Sequence, residues 1–512
     1  MMNNTTNNKR IAKNTMMLYV RMLVLMVISL FTSRVVLDIL GVDDFGIYNL
    51  VGGIIVLFSF INSAMVSSTQ RYLNYEMGQG NEEGLRKVFS MSLNCHLLII
   101  LAVIVLGETI GLWFLNTYLN IPEDRMVAAN WIYQFSIFSA CLGIFYSPYN
   151  AAIIAYENMS IYAYVSIIEA ILKLVIVYVI VVFSFDKLIL YGILMLLVNA
   201  IVTIIYVVYC IKKFTICHYL RFWDKGVFKD LMSFSGWSLF GSLANLGASQ
   251  GINIILNLFW SVAINAAMGI ANQVNSAIYR FVSSFTLAYN PQIVKSYSSG
   301  EREEFLLLIF RMSRFTYYLM LVLCVPVLIC CKDILNIWLV EVPEHAVQFC
   351  QLAICFSMID AMAAPAYMAI QAQGNIKVYQ IWLSIYRLGV LPIIALVLFW
   401  GGCPELALLI NVIMNLVVHI YRMHYLKGLI DLDLHKYWQE VVWPIIMVTS
   451  ISLPIPILVY HFTTGYLWLV VVLFITIITT CSSVLFVGMK TSERERVLYY
   501  IFKRLHYNEH QR

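Results

Sequence analysis

Residues 188–211 read LILYGILMLLVNAIVTIIYVVYCI, a run of 24 residues without a charge, bounded by Asp186 and Lys187 before it and by Lys212 and Lys213 after it. At about 1.5 Å per residue, a helix of that length reaches about 36 Å, enough to cross a hydrocarbon core of about 30 Å. The apolar residues are continuous, not alternating. That excludes the strand of an outer-membrane barrel, whose segments are about ten residues long and dyad-patterned. The run is therefore read as a transmembrane helix.

Runs of the same kind fill the chain. Of the 512 residues, 61% are hydrophobic and 12% are charged, against about 45–50% and about 25% in soluble domains. Mean hydropathy is +0.81. A soluble enzyme, a disordered scaffold and a nucleic-acid-binding module are excluded together. Breaking the apolar runs at charge or Pro/Gly/Asn clusters gives fourteen segments: 14–40, 46–69, 88–115, 127–150, 160–184, 188–211, 232–258, 263–289, 305–331, 346–370, 377–400, 405–426, 439–461 and 465–488. The first is too long for a signal-peptide core and no small-residue cleavage site closes it, so it is read as a retained span. The fold class expected is an all-α polytopic membrane protein of about fourteen transmembrane helices. The 11 cysteines form no C-x-x-C pair. They are read as small buried hydrophobes, with no metal site and no disulfide framework.

Loop charges set the orientation. With the N-terminus inside, the inner segments and the tail hold 23 of the 33 basic residues, among them Arg10, Arg71 and Lys295. The outer loops hold only Arg125, Lys187 and Lys332. Both termini are expected to be cytoplasmic. The net charge of +5 is then a topology signal, not a sign of nucleic acid as a partner. All loops are short, so no folded loop is available for an external catalytic site, and no enzyme activity is expected.

The chain also repeats itself over about 220 residues. Trp113-Phe114-Leu115, Pro122-Glu123, Pro148 and Asn158 are echoed by Ile337-Trp338-Leu339, Pro343-Glu344, Pro365 and Asn375, and Gly78 and Gly80 by Gly300. The repeat unit is six spans, an even number, so the halves share orientation. Two parallel six-helix lobes around a central cavity, plus two extra C-terminal helices, form a transporter architecture. The expected divisions are an N-lobe at 1–213, a cytoplasmic linker at 214–230, a C-lobe at 231–428, the added pair at 429–489 and a basic tail at 490–512.

Seven basic residues remain inside the spans: Arg21, Arg34, Lys173, Arg280, Arg311, Arg314 and Arg387, with Asp38, Glu169 and Asp360 as acidic companions. Each costs about 2.5–3.5 kcal/mol at a helix centre, so each marks protein or a water cavity. Arg21, Arg311 and Arg314 are shallow enough to snorkel. Glu169 with Lys173, and Arg34 with Asp38, are spaced i,i+4 and can form structural pairs. Arg280 and Arg387 have no acid within a turn on their own helices, which favours a cavity role. Asn62 on the second span and Asn272, Gln273 and Asn275 on the eighth add uncharged polarity to a solvated lumen. The glycines and amides of the seventh span fit close helix packing.

In the segment Thr32-Ser33-Arg34-Val35-Val36-Leu37-Asp38-Ile39-Leu40-Gly41-Val42-Asp43-Asp44-Phe45-Gly46-Ile47-Tyr48-Asn49-Leu50-Val51-Gly52-Gly53, continued by Ser68-Thr69-Gln70-Arg71-Tyr72-Leu73, the chain resembles the superfamily of multidrug, oligosaccharidyl-lipid and polysaccharide exporters. Within it, the chain most resembles the fourteen-span polysaccharide-transport branch of Wzx-type O-antigen flippases. That resemblance implies an undecaprenyl-diphosphate-linked oligosaccharide, a lipopolysaccharide O-antigen or capsule repeat unit, turned across a bacterial inner membrane by alternating access. Its partners would be the lipid-linked glycan, the bilayer and other glycan-assembly proteins. Guanidinium groups suit a diphosphate, so Arg280, Arg387, Lys173, Arg21, Arg311, Arg314 and Arg34 are the candidate grip. Asp38, Glu169 and Asp360 are the candidate carriers of a coupling ion. Pro148, Pro365 and Pro392 are candidate bending points. No Walker A sequence occurs, so neither ATP nor another cofactor is implied. The alternatives are a drug or cation antiporter of the same fold, expected to have a lumen dominated by acids, and a glycan polymerase or ligase, expected to have a large outer loop.

Overall fold

The computed structural model describes residues 2–118, 121–183, 185–260, 262–339, 342–462 and 466–495. Some helical side chains, those of Arg34 and Asp38 among them, lie outside the described set. The helices are α1 (Met2–Gln79), α2 (Glu82–Leu106), α3 (Leu112–Tyr118), α4 (Met126–Ala155), α5 (Met159–Val182), α6 (Lys187–Lys213), α7 (Lys225–Phe259), α8 (Val262–Ser298), α9 (Arg302–Ile329), α10 (Cys331–Trp338), α11 (Ala346–Gln373), α12 (Lys377–Phe399), α13 (Pro404–Ile430), α14 (Leu434–Tyr437), α15 (Trp443–Ser452), α16 (Pro454–Phe462) and α17 (Tyr466–Ser483). No strand occurs among the described residues. All fourteen apolar segments fall on helix to within a few residues, and among the described residues 12 stretches are long and apolar enough to cross a membrane. The two others, 46–69 and 263–289, are also helical. The side chains of much of the first are outside the described set, and the second is diluted by Asn and Gln.

Local chemistry explains the breaks. α1 holds the first two spans and is interrupted at Gly41, where φ is 78° and ψ is 172°. That backbone region is essentially open to glycine alone. Between α2 and α3 the helix widens into a π turn at Gly107–Gly111. Tyr133 on α4 fills the gap, its hydroxyl donating to the Gly107 carbonyl at 2.8 Å, and a methyl group at Gly111 would collide with that hydroxyl. α4, α11 and α12 continue through Pro148, Pro365 and Pro392 without interruption.

The chain forms two compact units. The first comprises Met1–Leu243, Leu287–Arg302 and Gln371–Ile381. Its core packs α4 against α5 and α6, with Tyr146 stacked on Tyr206 at 5.0 Å between centroids and Phe89 edge-on to Tyr149 at 5.2 Å. Lipid tails are as apolar as these side chains, so close packing and hydrogen bonds hold such helices together rather than exclusion from water. One end of this unit is fastened by Arg125, just before α4. Its Nε donates to Asp44 Oδ1 at 2.8 Å and its Nη1 to Asp186 Oδ2 at 2.5 Å. Asp186 also caps α6, accepting from the Ile189 N–H at 3.1 Å. Asp44 belongs to the stretch that carried the family resemblance, and this bridge gives it a structural task.

The second unit comprises Ala244–Thr286, Glu303–Ile370 and Trp382–Arg512. It has a counterpart to the Arg125 bridge. His345, just before α11, bonds through Nδ1 to Glu405 in the first turn of α13, and the Trp260 ring lies edge-on to the imidazole at 6.1 Å. The repeat read from sequence thus recurs as contacts: a base opens one helix of each half and an acid opens another. Gly80 and Gly300 end their helices at φ 68° and 78°. Glu157 and Gly374, each one residue before the matching Asn158 and Asn375, are both left-handed, at φ 58° and 96°.

The two-acid bridge predicts that Arg125→Met lowers stability by about 2 kcal/mol, the scale of hydrogen bonds to charged groups. The exposed neighbour Lys187→Met should change it by less than about 0.5 kcal/mol. Thermal unfolding in detergent would compare the two, and equal midpoints would refute the bridge as a stabilising element.

Candidate functional site

The second unit contains a partly open cavity of about 160 Å³. Helical periodicity builds its walls. Asn245, Ala248, Ser249 and Ile252 share a face of α7, and Met268, Asn272 and Asn275 share a face of α8. Leu352, Ala353 and Phe356 come from α11, Arg387 from α12, and Leu408 and Asn411 from α13. Four carboxamides, one hydroxyl and one guanidinium therefore meet an aromatic ring and aliphatic side chains. Asn275 Oδ1 is buried without a hydrogen-bond partner, an open acceptor of the kind that a ligand or water satisfies.

Arg387 is held from several directions. Its Nη2 lies 3.6 Å from Asp360 Oδ1 and donates to Asn415 Oδ1 at 3.2 Å. Asn415 is fixed in turn by donating to the Phe356 carbonyl at 3.1 Å. The guanidinium sits over the Phe356 ring at 5.0 Å, a cation–π contact. Tyr279 donates its hydroxyl to Asp360 Oδ2 at 3.4 Å. The cavity's one cation is matched by one anion, and what it offers a guest is mostly neutral hydrogen-bonding capacity.

The other candidate residues divide into groups. Asn272 and Asn275 line the cavity, whereas Gln273, on the same helix, is exposed and outside the lining. Arg280 lies two turns further along α8; it is exposed, and no ion pair to it occurs among the described residues. Lys173 is paired with Glu169 at 2.5 Å along α5, the structural alternative that their spacing allowed. Arg21 stacks over the Tyr162 ring at 4.3 Å. Asn62, on the second span, keeps a buried Oδ1 without a partner. The side chains of Arg34 and Asp38 lie outside the described residues.

Arg311 and Arg314 have a partner that the sequence reading did not consider. Glu493, beyond the last span, accepts from Arg311 Nε at 3.2 Å and from Arg314 Nη2 at 3.0 Å. Its other oxygen accepts the Lys490 backbone N–H at 3.1 Å, and the Lys490 amine pairs with Glu440 at 2.8 Å. Neither arginine lines the cavity. Two guanidiniums three residues apart inside a span signal that an acid is close, but the acid lies about 180 residues downstream and beyond the spans. Ser249, Asn411 and Asn415 also went unread, because a single polar residue in an apolar helix has no distinctive spacing.

No protein-family model matches the chain, and no curated protein does. Solved structures do. A MATE in the bent conformation superposes with a TM-score of 0.73 at 13% identity, covering 83% of this chain and 96% of the other. An outward-facing multidrug resistance MATE family transporter of the MOP superfamily gives 0.71 at 13% identity, with the same 83% and 96% coverage. A MOP superfamily transporter from Pyrococcus furiosus, described as having a binding pocket of reverse polarity, gives 0.70 at 13% identity, again covering 83% and 96%. At these identities the likeness establishes the two-lobed MATE-like fold of a multi-pass membrane protein.

The Arg387 network predicts that Asp360→Ala, which strands a largely buried guanidinium, costs about 2 kcal/mol. The double variant Asp360→Ala/Arg387→Met should recover about half of that, a coupling within the range for contacting residues. A double-mutant cycle on unfolding midpoints measures it, and strict additivity would show that the pair does not interact.

Proposed function

We propose that this protein is a flippase that moves a lipid-linked oligosaccharide, carried on a polyprenyl diphosphate, from the cytoplasmic to the periplasmic leaflet of a bacterial inner membrane, with both termini cytoplasmic. The observation that carries the reading is the cavity of the second unit. Its Asn245, Asn272, Asn275, Asn411 and Ser249 suit the hydroxyl and acetamido groups of sugars, Phe356 offers an apolar face, and its single cation is offset by Asp360. A cationic drug would find no unmatched acid there. Arg280, without an ion pair among the described residues, is the cation left for an anionic headgroup. Lys173, Arg311 and Arg314 are matched by Glu169 and Glu493, which leaves Arg280 as the leading member of the proposed grip, with Arg21 and Arg387 as auxiliaries and Arg34 kept as a candidate outside the described side chains. The fold supports transport by alternating access of two lobes.

A MATE-like drug or cation antiporter is the second reading, favoured by the transporters that share the fold and by Asp360, which would then carry the coupling ion. The two readings part on phenotype. Under the flippase reading, Arg280→Ala and Arg387→Ala each reduce surface glycan by about tenfold or more, the effect of losing roughly 1.4 kcal/mol of binding, with membrane expression unchanged. Normal glycan display in both variants overturns the assignment. Unchanged glycan with raised accumulation of a cationic dye supports the antiporter.

A further inference from the structure

At one end of the first unit, cations from each half of the repeat bind the helix end of the other half. Arg71, near the end of α1, donates from Nε to the Gln371 carbonyl at 3.2 Å and from Nη2 to the Ala372 carbonyl at 2.6 Å. Those carbonyls end α11, where the chain's unpaired acceptors carry partial negative charge. Lys295, near the end of α8, donates to the Ala155 carbonyl at 2.6 Å and pairs with Glu157 at 2.7 Å. Ala155 ends α4 and stands where Ala372 stands in the other half of the repeat. The two contacts are reciprocal. Between them α1 and α8 touch directly: a methyl group at Gly78 would collide with Ser298 and lie 2.5 Å from the Lys295 carbonyl.

The turn residues differ in a telling way. Gly374 leaves room for Arg71, since a methyl group there would lie 2.7 Å from Nη2. The matching position in the first half is Glu157, held left-handed at φ 58°, a conformation disfavoured for a residue with a Cβ. Its carboxylate is fully buried and accepts from Arg10 Nε at 2.5 Å and Gln292 Nε2 at 2.5 Å, as well as from Lys295. Asn14 adds a bond to the Glu157 carbonyl at 3.1 Å. A strained backbone kept for a side chain that gathers three donors marks a contact that the fold is built to make.

We propose that Arg71 and the Glu157–Lys295 pair are two reciprocal latches that hold this end of the protein closed, and that moving a substrate requires both to open. The requirement for opening rests on the transport reading; the closure does not. Burial raises the Glu157 carboxyl, but the charge of Lys295 and the hydrogen bonds from Arg10 and Lys295 outweigh it, so its pKa lies below the ordinary range. A depressed carboxyl contributes above the ordinary glutamate pKa and fails only as pH falls through the lowered value. The Glu157 charge is therefore kept as pH falls through the ordinary glutamate range, while burial lowers the Lys295 amine against the opposing charge of Glu157.

Spin labels at the exposed positions Gln79 and Ser299, in a cysteine-free full-length background in nanodiscs, report the separation by double electron–electron resonance. The parent should give one short distance. Arg71→Ala/Glu157→Gly should add a population longer by about 10 Å, roughly a helix diameter. Glu157→Gly alone suits the backbone that its counterpart Gly374 adopts, so it carries the test even if the double variant fails to fold, and it should show the longer population in smaller amount. A single short distance in Glu157→Gly and in every folded variant overturns the latches. No substrate is needed, so that result leaves the transport reading standing, while loss of that reading through normal glycan display leaves the closure intact.

Discussion

Every polar group placed in hydrocarbon must find its partner inside the protein, because no water is there to supply one. This constraint organises the molecule. It explains why Lys173 sits one turn from Glu169, why Arg387 is ringed by Asp360, Asn415 and Phe356, and why a tail residue folds back to meet Arg311 and Arg314. Charges that look like exceptions in an apolar sequence become the fixed points around which the helices are placed. At the membrane edge the same logic continues with backbone groups, since Arg71 and Lys295 satisfy carbonyls that helix ends leave open.

The repeat acquires physical meaning through paired contacts. Arg125 with Asp186, and His345 with Glu405, occupy equivalent places at one end of each half. Arg71 on Ala372, and Lys295 on Ala155, meet equivalent helix ends from positions about one turn apart in the repeat. The residue types differ while the contacts correspond. A duplicated six-helix unit needs the same joints in both copies, but the chemistry at each joint can be met by different side chains.

Helices were the legible part of the sequence, because continuous apolar length is a local property. All fourteen segments fall on helix, and Gly41, placed between the first two, breaks α1. The cavity was legible only in part. Asn272, Asn275 and Arg387 stood out as polar residues in apolar runs, whereas Asn411 and Asn415 needed their neighbours on α11 and α12 to be recognised. The least legible features were long-range partners. Arg10, Arg71 and Lys295 read from sequence only as topology charges, yet their contacts lie 147, 301 and 138 residues away. Sequence spacing carries no trace of such distances.

The pairing of Arg311 and Arg314 with Glu493 has a consequence for synthesis. The acid lies 182 and 179 residues downstream of the bases. At about 5–20 residues per second, that separation is roughly 10–40 seconds of translation. For that interval the two guanidiniums of α9 lack this counter-charge. The ion cluster around Arg311 and Arg314 can therefore close only once Glu493 has been made, well after α9 emerged.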